Sequence, residues 1–192
     1  MFRCPLWMRC VPAILTLALG AQDVDLAERL FRSGERAYAA KSHVEALDTW
    51  NQLIQQVPSS PFAAQALLRI ARHHLETERK PEAALPWLDR IKAEHMNTPW
   101  AAEALLMRGR ILADRATQRS ALQEAVAEFH RLVDLFPDHP TVAEACFHLG
   151  RSAQRQEQWA RALYHYTEVL RRDPSAPIAR QAWLQMGECL DA

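Results

Sequence analysis

Glycine occurs five times in these 192 residues and tyrosine three times. Val, Ile, Thr and Tyr never gather into alternating runs, so strand architectures with many tight turns are excluded. Ala, Leu, Gln, Glu and Arg dominate instead, and they favour helices. An excess of charge of one sign is also lacking: 23 basic and 23 acidic side chains balance to zero. No global field draws such a chain to nucleic acid or to anionic lipid. Catalytic motifs are missing too. There is no Cys-x-x-Cys, no Gly-rich phosphate loop and no Gly-x-Ser-x-Gly. Of the eight histidines, His73 and His74 are adjacent in "HHLETE", which lacks the His-Glu-x-x-His spacing of a zinc site. His130, His148 and His165 fall in three separate helical stretches. No metal, cofactor or enzymatic activity is expected, because nothing assembles a nucleophile, a base and a group to orient them.

Apolar runs long enough to span a bilayer are absent; the longest is "VPAILTLALGA" at the N-terminus. Arg3 and Arg9 precede it and small residues end it. A basic stretch, a short apolar run and a small-x-small end predict a secretory signal peptide over residues 1–20, cut after Gly20 or Ala21. Neither Cys4 nor Cys10 has the Leu-small-small-Cys context of a lipid anchor, so a periplasmic or secreted protein is expected. Cys146 and Cys189 read as buried small hydrophobes rather than as a disulfide.

What is abundant is proline, with eleven residues. Pro61, Pro99, Pro140 and Pro177 are 38, 41 and 37 residues apart. Five residues after each stand Ala66, Ala104, Ala145 and Ala182; ten after stand Ala71, Gly109, Gly150 and Gly187. Fifteen before stand Ala46, Ala84, Ala125 and Ala162; eleven before stand Trp50, Leu88, Phe129 and Tyr166. A second column holds Pro58, Met96, Pro137 and Pro174. Small residues let two helices cross closely, and the bulky residue one turn on fills the gap beside them. One proline stops a helix and the next starts another at a position needing no N–H. The expected organisation is helix pairs at about 23–58, 61–96, 99–137 and 140–174, with a half repeat over 177–192. Pro86 should kink or delay the second helix of its pair, and "LADRATQRSALQ" should lengthen the third pair's turn. The last helix should cover the pair before it, with Trp183 in that cover.

The spacings Gly34–Ala46, Gly150–Ala162, Ala46–Pro58, Ala125–Pro137 and Ala162–Pro174 resemble those of the tetratricopeptide repeat. The longer period, and "RRDPSAPIARQAWLQMGECL" in particular, is similar to repeats of bacterial envelope proteins of the Tol-Pal-associated YbgF/CpoB type and the BamD type. The resemblance implies an all-α, right-handed α-α superhelix (a TPR-like solenoid) of four helix pairs plus a C-terminal capping helix. It implies a non-enzymatic scaffold that holds a protein or peptide partner in a concave groove, in envelope organisation of the YbgF kind. Alternatives are an outer-membrane assembly factor of the BamD kind and a self-associating homo-oligomer.

In this family the residue after the small position of the first helix faces the groove. Carried over, that residue is Arg72, Arg110 and Arg151, a ladder suited to carboxylates. Gln65, Arg69, Glu103, Glu144 and His148 share the same helical face and complete the expected partner-binding set. The bland alternative is that these arginines solvate an exposed face, some of them paired to nearby glutamates.

Overall fold

The structure is a computed structural model and describes residues 11–116 and 119–192. Every regular element among them is helical. The helices are α1 (Val11–Ala39), α2 (His43–Gln56), α3 (Pro61–Arg72), α4 (Pro81–Glu94), α5 (Pro99–Arg115), α6 (Arg119–Leu135), α7 (Val142–Gln154), α8 (Trp159–Arg172) and α9 (Pro177–Leu190). Arg3, Arg9 and the rest of the basic N-terminal stretch lie outside the described residues; residues 11–20 belong to α1. No described helix is long and apolar enough to cross a membrane.

Proline punctuation acts where its chemistry requires. Pro61, Pro99 and Pro177 are the first residues of α3, α5 and α9, and so is Pro81 of α4, where a missing N–H costs no helical bond. Pro140 does not start its helix, because α7 begins two residues later at Val142. Pro86 produces no delay: α4 begins at Pro81 and runs through it. The insertion in the third pair extends α5 and α6 to 17 residues each, rather than opening a longer turn.

The chain forms two compact units, one ending at Ile70 and one covering Ala71–Ala192. In the first, α1 packs on α2. Trp50 is fully buried, and a Cβ placed on Gly34 would fall closer than 3.0 Å to its indole. Phe62 lies 5.8 Å from Phe31 between ring centres, and Arg69 donates to Glu35 at 2.7 Å, so α3 lies beside α1. In the second unit, α4 to α9 each pack on their neighbours in sequence, and α7 also touches both α5 and α9 side by side. Gly109 meets Phe129 and Gly150 meets Tyr166 in the same close way. One continuous core joins Leu105, Phe129, Leu132, Phe147, Tyr166 and Val169. Cys146 and Cys189 are both buried free thiols, and burial raises the pKa of each.

The turns inside the first, second and fourth pairs share a device that the spacing alone does not show. Lys41 and Glu157, each seven residues after its Gly, have φ of 63° and 58°. The following residues close the helix ends: Ser42 N–H donates to Ala37 and Gln158 N–H to Ala153. The second pair has a π turn (His73–Thr77) just after α3, and its left-handed residue, Arg79, comes one position later. Lys80 N–H then reaches back six residues, to His74, instead of five. A side chain in the left-handed region is disfavoured, so Glu157→Gly is expected to raise unfolding free energy by about 0.5–1 kcal/mol in urea titration.

Candidate functional site

The face expected to bind a partner is built by the first helices of the pairs. On α5, the positions 103, 106, 107 and 110 follow helical spacing and share one side. Leu106, Met107 and Ile111 are nearly fully buried there and form an apolar floor. Glu103 and Arg110 stand at the edge. The end of α3 brings Arg72 and the π turn after it brings Leu75 from one flank, and the start of α7 brings Thr141 and Glu144 from the other. Together these enclose an open hollow of about 650 Å³.

Its rim carries two ion pairs between successive pairs of helices. Arg72 Nη2 donates to Glu103 Oε2 at 2.7 Å, and Arg110 Nη1 donates to Glu144 Oε1 at 3.2 Å. The two are the same contact in repeat terms, since the residue after the small position reaches the acidic residue of the next first helix. All four side chains are partly exposed, so each pair contributes under about 1 kcal/mol. His148, 3.8 Å from Glu144, and then Arg110 hold the Glu144 carboxyl below the usual carboxylate range, against the opposing effect of burial. The His148 ring itself stacks on Phe129 at 5.2 Å.

Of the eight residues singled out in the sequence, Arg72, Glu103, Arg110 and Glu144 therefore line one hollow, with His148 behind Glu144. Arg69 and Gln65 belong to the first unit, where Arg69 is committed to Glu35. Arg151 is exposed on α7; the place on α9 where the ladder would put its acidic partner is Gln181. Two arginines of the ladder are thus neutralised by glutamates of this chain. The hollow presents alternating charge above an apolar floor rather than a run of positive charge. Leu75, Met107 and Ile111 join the site as residues the charge pattern did not point to; their signal is apolar character within an otherwise polar face.

Nothing in the hollow forms a catalytic arrangement among the described residues, and they contain no group of three or more His, Cys, Asp or Glu fit to hold a metal ion. Paired antiparallel helices, crossing at Gly and stacked so that their first helices line one face, define an α-helical repeat of the kind that serves protein–protein interaction. Two models of the tetratricopeptide repeat match the sequence, one over residues 13–99 and one over residues 143–176, together more than half of the chain. The chain belongs to the tetratricopeptide-repeat family. The third pair, between the matched segments, has the longest helices of the second unit but repeats the same glycine-to-ring crossing at Gly109 and Phe129. Comparison with curated proteins gives no match.

Proposed function

We propose that this chain is an exported, non-enzymatic scaffold of the bacterial cell envelope, YbgF-like in role, that holds a segment of an envelope protein across α5. The observation that carries the binding assignment is the hollow itself: an apolar floor of Leu106, Met107 and Ile111 beneath the Arg72–Glu103 and Arg110–Glu144 pairs. Apolar side chains of the partner supply most of the affinity there. The rim pairs set register, because a charged partner side chain exchanges with one member of a pair while the other stays compensated. Export rests on Arg3 and Arg9 followed by the apolar run to Ala21.

The test is site-specific photocrosslinking in the native host. A photoreactive residue at Arg110 is expected to give a discrete adduct, and the same probe at Gln123 on α6, which lines a different hollow, is expected to give none. The Arg72→Ala, Arg110→Ala and Arg151→Ala triple variant, folded because the lost pairs are weak, should reduce the adduct formed from a probe at Met107 by about tenfold or more. Equal adducts from both faces would defeat the groove assignment. N-terminal sequencing of the protein recovered from cells checks the export claim; a chain still beginning at Met1 would overturn it.

A further inference from the structure

In three helix pairs a glycine of the first helix receives a ring from the second: Gly34 takes Trp50, Gly109 takes Phe129 and Gly150 takes Tyr166. Gly187 holds the equivalent place on α9, yet a Cβ built there meets nothing within 4 Å. The helix face around it is apolar and uncovered. Trp183 is 62% exposed, Leu184 66% and Leu190 72%; Cys146 and Phe147, which stand at the repeat positions of Trp183 and Leu184, are 4% and 5% exposed. A hollow of about 900 Å³ lies at the N-terminal end of this face, lined in part by Arg180, Trp183 and Leu184. One tryptophan and two leucines facing water on a single helix make a patch that gains by being covered.

The face itself states what would cover it. At 3.6 residues per turn, Arg180, Trp183, Leu184, Gly187, Leu190 and Asp191 lie on one side of α9, and all six are exposed. Neither Arg180 nor Asp191 has an ion-pair partner among the described residues. Read along the helix the order is basic, bulky, small, acidic: Arg180, Trp183, Gly187, Asp191. Run backwards, that order complements itself. A second α9 laid antiparallel, with a two-fold axis level with Gln185, sets Trp183 of each copy over Gly187 of the other and brings Arg180 of each within one residue's rise, about 1.5 Å along the axis, of Asp191 of the other. Bulk meets a hole and charge meets opposite charge, twice each.

We propose that two copies of this chain pair through α9 about this two-fold axis, each Trp183 filling the place left open at the other copy's Gly187. One helix face per copy buries less than the roughly 800 Å² per partner of a standard stable interface, so the dimer dissociates in the micromolar range. The pairing is independent of the hollow across α5.

Sedimentation velocity of the full chain from about 1 to about 200 µM brackets that range and is expected to show a monomer–dimer shift. Trp183→Ala and Gly187→Trp are each expected to weaken pairing about tenfold or more, with unchanged helical circular dichroism because both positions are open to solvent. Arg180→Asp and Asp191→Arg should each abolish the dimer alone, since like charges then face one another twice. An equimolar mixture of those two variants should regain it, because both charge pairs are opposite again in the mixed dimer. A chain that stays monomeric throughout, a dimer indifferent to Trp183→Ala and Gly187→Trp, a mixture that fails to recover, or mass that keeps growing past two copies would each overturn the proposal.

Discussion

Gly150→Leu is expected to lower the unfolding free energy of the second unit by about 1–3 kcal/mol, through overpacking at a helix crossing. A Cβ alone at Gly150 already falls closer than 3.0 Å to the Tyr166 ring, and that ring is fully buried. The ring has little room to retreat. Leu149, Phe147 and Val169 belong to the same buried cluster, and the Tyr166 hydroxyl donates to Gln154 at 2.8 Å. Burial also raises the pKa of that hydroxyl well above the ordinary tyrosine value, so it stays a neutral donor. The smaller change Gly150→Ala is more diagnostic still. In an exposed helix, Gly→Ala stabilises by about 1 kcal/mol through propensity; here the collision should reverse the sign. The control is Gly187→Ala, read at a protein concentration low enough to keep the chain monomeric, where the added methyl meets nothing and propensity should prevail. Urea titration of the three variants reads the difference. A stabilised Gly150→Ala would mean that the α7–α8 crossing is looser than its geometry.

The features visible in the sequence are those set by contacts at fixed spacing within one repeat. Gly150 and Tyr166 are sixteen residues apart, and the same interval separates Gly34 from Trp50; two columns of one alignment thus locate a crossing without coordinates. Prolines mark helix starts because a missing N–H is a local property. The π turn at His73 was not legible, since one extra residue within a helix is decided by how the turn packs, and no residue type announces it. For the site, the arginine column and the glutamate column are both visible in the sequence, which leaves open whether they face a partner or pair with each other. Their facing one another, Arg72 with Glu103 and Arg110 with Glu144, needs the side-by-side placement of successive first helices. The expectation for Trp183 fails for a related reason. At its repeat position residues are buried where a second helix completes the pair, and among the described residues no helix packs there on α9. The cover over α8 comes instead from Ala179, Ala182 and Cys189, with Trp183 turned to solvent.

Glu128→Ala is expected to cost about 3 kcal/mol, the largest loss from any single charged residue among the described residues. Glu128 lies on α6 with only 5% of its surface exposed. Its Oε1 accepts from Lys92 Nζ of α4 at 2.6 Å and from Arg108 Nη1 of α5 at 2.9 Å, while Arg108 Nε also donates to Asp89 at 2.7 Å. One carboxylate oxygen therefore ties three helices together. Removing it leaves two cations near the core with Asp89 as their remaining counter-charge, and it opens a void in the helix layer. Lys92 and Arg108 keep 28% and 19% side-chain exposure and so retain partial access to water, which places the cost at the low end for a buried pair. Glu128→Gln, which keeps the volume and one acceptor but loses the charge, should fall between. Arg110→Ala and Arg72→Ala at the rim of the hollow should each cost under about 1 kcal/mol, although their pairs are drawn from the same residue types. What separates the two cases is depth, because Coulomb attraction is screened less at Glu128 than at the rim. A double-mutant cycle isolates this. If the network is real, Lys92→Ala in the Glu128→Ala background should cost less than it does alone, and additive losses would show the two groups to be stabilised separately.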